Sequence, residues 1–358
     1  MNRKYFYKNY FEARNKFIEL SKKNKFEQEN YKIEKNLTID VSFKKTNKDK
    51  LIIFLSGVHG VEGYLGSGFQ NLFLDKFFQK NKNKSSVLLI HSLNPYGYAN
   101  NRRYNKNNVD LNRNNIENFK NVKNINPKYT EIFRNLLPVY NPKNTNFFTV
   151  YFYYYIKLFL QMIKYAPSDV INASGFGQNI DSKSVCYCGN KKEKETLILE
   201  NILKKHTKEF KKVIFVDIHS GSARKYEIAT YTNYPEDSKE IKLIKKIWKN
   251  TKSRFTKARA MNHIGSVEDS FYKNCKSKEK YDITLEYGTI LRFSMIMSLS
   301  YLARLLVIEN SIYNRKKKRK YKKIKRRMKE AYFPEDETYY LFFKKRTSKF
   351  IKRIYKYF

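Results

Sequence analysis

Three continuous apolar runs constrain this chain more than any other feature. LIIFLS (51–56), SVLLIHS (86–92) and VIFVDIH (213–219) are short and lack polar alternation, the pattern of strands buried on both faces of a sheet. DITLEYG (282–288) closes the set, LTIDVSF (37–43) alternates as a half-buried strand does, and 227–232 is a further candidate. Residues 5–35 read as helix. So does the stretch from Tyr64 to Lys80, where Leu65, Phe69, Leu72, Phe73 and Phe77 recur at three-to-four spacing. Residues 130–165, 193–211, 238–252, 291–331 and 337–355 are also helical in character, with loops at 94–118 and 172–190. Strands alternating with helices predict an α/β fold with a mixed, largely parallel central β-sheet flanked by helices. No internal repeat or linker divides the chain, so one domain over 1–358 is the simplest account.

Three of these strands end in residues able to do chemistry. LIIFLS runs into Gly57-Val58-His59-Gly60-Val61-Glu62-Gly63, VIFVDI into His219-Ser220-Gly221, and DITL into Glu286-Tyr287-Gly288-Thr289. Ligand sites of open α/β sheets lie beyond the carboxyl ends of the strands, so these residues are expected to converge there. His59 and Glu62 form a His-x-x-Glu pair in a glycine-flanked turn, and His219 offers a second imidazole. Two imidazoles and a carboxylate make a His₂Glu set, the donor set of catalytic zinc sites that keep one position open. Asp217, two residues before His219, is a candidate to orient that imidazole.

The segments SGVHGVEG (56–63), NPYGYANNRRYNKNNVDLNRN (94–114), DIHSG (217–221), LEYGT (285–289) and YFPEDETYYLFFKKR (332–346) together resemble the zinc carboxypeptidase superfamily. The resemblance is strongest to a bacterial branch neighbouring the succinylglutamate desuccinylase and aspartoacylase enzymes, and it covers nearly the whole chain. It implies one zinc ion per chain, bound by His59, Glu62 and His219, with Glu286 as the general base that activates the attacking water. It makes Arg103 the group that polarises the scissile carbonyl, with Arg102 as the alternative if the loop slips by one. Asn112 and Arg113 match the pair that holds a substrate carboxylate. The implied activity is hydrolysis of an amide next to a free carboxylate, on a small peptide (carboxypeptidase) or an N-acyl amino acid (deacylase). The family's substrate-covering tyrosine has no single counterpart among 30 tyrosines.

Composition supports a folded chain, with 41% hydrophobic residues. Lys and Arg number 74 against 33 Asp and Glu, a formal +41. Because Lys, Asn, Tyr, Phe and Ile are inflated together, codon bias accounts for most of that charge. The exception is 315–329, where every residue but Tyr321, Ile324 and Met328 is Lys or Arg. A rival reading therefore makes the protein a nucleic-acid or anionic-surface binder acting through this helical segment on an inactive hydrolase scaffold. No nucleic-acid-binding motif accompanies it, so polyanion binding there is expected to be unspecific. A serine hydrolase is discounted, since neither Ser67 nor Ser220 sits in Gly-x-Ser-x-Gly.

Cys186, Cys188 and Cys275 make no disulfide framework and are expected to be buried thiols. His91 is expected to pack or cap, His206 to be exposed and His263 to lie in a plain loop. The N-terminus lacks the apolar centre of a signal peptide, and Lys157 interrupts the longest apolar stretch, Phe147 to Ile163. The expectation is a cytoplasmic protein with no transmembrane segment.

Overall fold

The computed structural model describes residues 4–121, 126, 128–133, 156–157, 159–166, 169–170, 173, 175–253, 265–290, 295–314 and 318–358. Among the described residues eight strands form one sheet: β1 Glu27–Glu34, β2 Leu37–Lys44, β3 Lys50–Ser56, β4 Ser86–His91, β5 Lys212–Arg224, β6 Ile228–Thr232, β7 Lys252–Ser253 and β8 Glu279–Ile290. Their order is β1-β2-β4-β3-β5-β8-β6-β7. The centre, β4-β3-β5-β8, is parallel throughout, and antiparallel pairs (β1–β2, β2–β4, β6–β8) flank it. This is the mixed, largely parallel α/β sheet expected from the apolar runs.

Strand periodicity sorts side chains between two layers. Ile52 and Phe54 of β3, Ile214, Val216 and Ile218 of β5, and Ile283, Leu285 and Tyr287 of β8 face one layer. That layer contains helices α1 Tyr10–Lys23 and α2 Gly63–Lys76. Leu51, Ile53 and Leu55 of β3 and Val213 and Phe215 of β5 face the other, which contains α4 Lys194–Thr207 and α6 Val267–Asn274. A short helix, α3 Pro95–Ala99, lies in the loop expected at 94–118, and α5 Lys239–Ile247 follows β6. The chain ends in α7 Met295–Asn314, α8 Lys318–Tyr332 and α9 Glu337–Tyr357. Part of the helical expectation over 130–165, and residues 291–294 and 315–317 of the one over 291–331, lie outside the described residues. Among the described residues no helix is long and apolar enough to cross a membrane.

Phe54 shows how the first layer is held. It is fully buried, with its ring 5.1 Å from those of both Phe69 and Phe73 of α2. Phe54→Ala leaves a cavity under a helix pinned from two sides, and we expect it to cost about 3–5 kcal/mol. Urea unfolding measures this; a loss below about 1 kcal/mol would contradict the packing.

Two sequence expectations are corrected. Helix was expected over 5–35, but it ends at Lys23 and Glu27–Glu34 is an edge strand paired with β2. Exposed polar residues on an edge strand imitate a charged helix, because only one neighbour strand and one face constrain them. His206, expected exposed, is buried on α4, its Nε2 3.0 Å from Glu29 of β1 and its ring 4.7 Å from that of Phe43. His91 packs as expected: it stacks on Phe17, its Nε2 is 2.7 Å from the Ser67 hydroxyl, and burial depresses its pKa to about 3. Cys186, Cys188 and Cys275 are buried thiols, and none of them forms a disulfide. His263 lies outside the described residues.

Candidate metal centre

His59 and Glu62 occupy the sharp turn between β3 and α2. Gly57 at the end of β3 has φ +64°, a left-handed backbone that favours glycine. Gly60 admits α3 so closely that a Cβ there would collide with the Gly97 backbone. The turn is stitched to the following loop by hydrogen bonds from Gly60 N to the Arg103 carbonyl (3.0 Å) and from Val61 N to the Arg102 carbonyl (2.7 Å).

β5 runs parallel to β3 on one side and to β8 on the other, so His219 and Glu286 are register partners. The expected convergence at the carboxyl ends is present: His59, Glu62 and His219 are all buried, with one potential ligand atom from each within 4.8 Å of the others. His59 Nδ1 lies 3.0 Å from Glu62 Oε1, and His219 Nδ1 lies 2.8 Å from Glu62 Oε2. The far side of each ring meets a carboxylate. His59 Nε2 is 3.1 Å from Asp110 Oδ1, and His219 Nε2 contacts Asp217 Oδ2. Asp217 reaches His219 because residues two apart on a strand share a face.

This geometry fits a metal ion. A carboxylate accepting the Nε2 proton of each ring leaves Nδ1, on the Glu62 side, as the nitrogen that can ligate a metal once any proton on it is displaced, the usual arrangement around a ligating imidazole. Three inward donors, two of them imidazoles and one a carboxylate, suit zinc.

The charges are strongly mutual. Burial alone would raise the Glu62 carboxyl, but the His59 and His219 imidazoles hold it well below the usual carboxylate range. Glu62 also accepts from Ser220 N (3.1 Å) and from Arg103 Nη1 (3.1 Å). Asp110, likewise opposed by burial, is held low by His59 and Arg103. His219 is pushed well above the ordinary histidine value: burial opposes its charge, but Asp217 and Glu62 outweigh it. Glu286 goes the other way, raised by burial despite the pull of His219, and its Oε2 is buried without a hydrogen-bond partner.

Of the two neighbouring arginines, Arg103 reaches the cluster and Arg102 does not. Arg103 Nε stands 3.7 Å from Asp110 Oδ2, while Arg102 is fully buried on a salt bridge to Glu309 of α7. Asn112 and Arg113 are buried beside the site but tied to the chain. Asn112 Oδ1 accepts the first N–H of α6, from Val267 (3.0 Å), and Arg113 donates through Nε and Nη2 to the Gly175 carbonyl (3.2 and 2.8 Å). Two contributors were not singled out from sequence. Asp110 carried no separate signal within the Asp-Leu-Asn-Arg-Asn motif. Tyr332 is fully buried at the end of α8, interacts with Arg103, and accepts the Ser220 hydroxyl at its carbonyl (2.8 Å).

A family model described as protein of unknown function (DUF2817) matches residues 6–341. A search of curated proteins returned no match. Similar solved structures include carboxypeptidase A from Helicoverpa armigera, 14% identical over 91% of this chain and 74% of that one, with a TM-score of 0.48. Bovine thrombin-activatable fibrinolysis inhibitor is 16% identical over 87% of this chain and 97% of that one (TM-score 0.46). A metallo-carboxypeptidase from Pseudomonas aeruginosa is 11% identical over 85% and 68% (TM-score 0.41).

Proposed function

This chain belongs to the DUF2817 family, and we propose that it is a zinc-dependent hydrolase cleaving an amide bond next to a free carboxylate. The observation that carries the reading is the pairing at the strand ends. Two imidazoles, each backed by a carboxylate, converge on Glu62, and beside them Glu286 keeps a buried oxygen without a partner.

His59, Glu62 and His219 would hold one zinc ion. Zinc bound there supplies Lewis acidity that polarises a carbonyl and acidifies water. The remaining work falls to side chains. Ionised Glu286 accepts the proton of the attacking water and delivers it to the departing nitrogen, as amide hydrolysis requires. Arg103 stabilises the developing oxyanion with a part-buried guanidinium whose Nε has no hydrogen-bond partner. Asp110 and Asp217 keep the imidazoles in the ligating tautomer. Arg113, with Asn112, holds the substrate carboxylate; Arg113 exchanges a neutral acceptor, the Gly175 carbonyl, for a charged one. The substrate is a small peptide or an N-acyl amino acid.

Metal analysis of the purified protein tests the reading, and about one zinc per chain is expected. A hydrolysis screen over C-terminal amino acids and N-acyl amino acids follows. Protein that carries no zinc and refuses it on titration overturns the proposal.

The basic segment is read as a solvated helix face. Within α8, Ile324 and Met328 are buried while Lys322, Lys323 and Arg326 are exposed, the arrangement of a solvated amphipathic helix. Salt-sensitive polyanion binding there is at most a secondary property.

A further inference from the structure

Arg102 lies next to the arginine of the site yet points away from it, into the most completely buried ionic network of the described residues that neighbour the centre. It has no exposed surface, nor has the Glu309 side chain that pairs with it at 2.7 Å. Its Nη2 donates to Asn108 Oδ1 (2.9 Å) and Asn310 Oδ1 (3.2 Å), and its Nη1 to the Asn105 carbonyl (3.4 Å). The guanidinium carbon sits 3.3 Å from the centre of the Tyr313 ring, and the Tyr321 hydroxyl donates to Glu309 (3.2 Å). Arg102 thus ties the loop after α3 to α7, and Glu309 carries the tie on to Tyr321 of α8.

Burying two ions costs several kcal/mol for each, and well-packed apolar residues of similar volume are often as stabilising. Stability alone therefore gives little reason for such a pair, whereas fixed geometry does. The backbone shows what is fixed. The Arg102 carbonyl accepts Val61 N, the Arg103 carbonyl accepts Gly60 N, and Arg102 N is held by the Gly97 carbonyl (2.7 Å). Anchoring Arg102 therefore sets the turn that carries His59 and Glu62 and also the emergence of Arg103.

We propose that Arg102 and Glu309 are positioning residues, which hold the Arg103 loop and the His59–Glu62 turn in register with each other. The zinc arm of the test rests on the metal-site reading; the spectroscopic arm does not. The variants are Arg102→Met combined with Glu309→Met, which replaces the ion pair by apolar groups, and Glu309→Gln, which keeps volume and an acceptor for Arg102 Nε. The imidazole nitrogen spectra of the metal-free protein are expected to shift at His59 and to stay unchanged at His91. Zinc titration by competition is expected to show about tenfold weaker affinity in the double variant. Turnover is expected to fall about 100-fold, in kcat more than KM. The glutamine variant should show smaller changes of the same kind. Folded variants with a lowered melting temperature but unmoved His59 signals and wild-type zinc affinity would overturn the proposal and leave the pair a purely structural one. Wild-type protein that refuses zinc sinks the hydrolase reading instead, and the His59 signals still decide this one.

Discussion

Replacing both His59 and His219 with alanine is expected to abolish zinc binding, from about one ion per chain to none, with affinity lowered by about 10³-fold or more. Two of the three inward donors disappear, and Glu62 is left with Arg103 and Ser220 N as partners, as a carboxylate among donors rather than a metal ligand. The fold should survive, because the strands that position these residues are packed along their whole length and neither imidazole belongs to the apolar layers. Binding should also depend on pH in a predictable direction. Burial opposes charge on His219, but Asp217 and Glu62 outweigh it and raise its pKa well above the ordinary histidine value, so the metal-free site holds a proton there more tightly than a free imidazole does. Zinc must displace that proton, so affinity rises with pH and binding releases protons to the buffer. Calorimetry in buffers of different ionisation enthalpy reads the release. A double variant that still holds one zinc would show that the ion belongs elsewhere.

The strands that build the site were legible because their sequences are nearly invariant in polarity. A run such as LIIFLS can only be buried on both faces, and the residue that ends such a run sits at the carboxyl edge of the sheet. What stayed hidden depends on contacts far along the chain. The strand EQENYKIE has no buried residue to mark it, and only pairing with β2 distinguishes it from the helix before it. His206 looked exposed because its helix is rich in Lys, yet β1 and β2 cover it with Glu29 and Phe43. Arg102 and Arg103 are chemically identical in the sequence and diverge because adjacent side chains leave the backbone in different directions, one to Glu309, 207 residues away, the other to Glu62. Tyr332 was one of 30 tyrosines until α8 folded back over the turn at Gly60–Glu62. Local pattern thus revealed the sheet and its end residues; the partners that hold those residues in place came from tertiary packing.

Glu286→Gln is expected to lower kcat by about 10²–10⁴ while leaving zinc content, zinc affinity and the unfolding midpoint near wild type, since the amide keeps the shape and loses only the basicity. The two carboxylates of the site can be told apart by the direction of their shifts. Glu62 is held low and is occupied on both oxygens by His59, His219, Arg103 and Ser220 N, the state of a committed ligand. Glu286 is raised, first by burial, and one of its oxygens has no partner, the state of a group that can take up a proton and give it away. The sign of the pH dependence follows. A base works only when ionised, so activity is present above the Glu286 pKa and is lost as pH falls through it. Because that pKa lies above the usual value of about 4.3, the acid limb of kcat/KM should sit higher than an ordinary carboxylate would place it. The residual activity of the glutamine variant should lack that limb. A variant that turns over at the wild-type rate, or that keeps the same acid limb, would remove Glu286 from the reaction and move the role of base to another group.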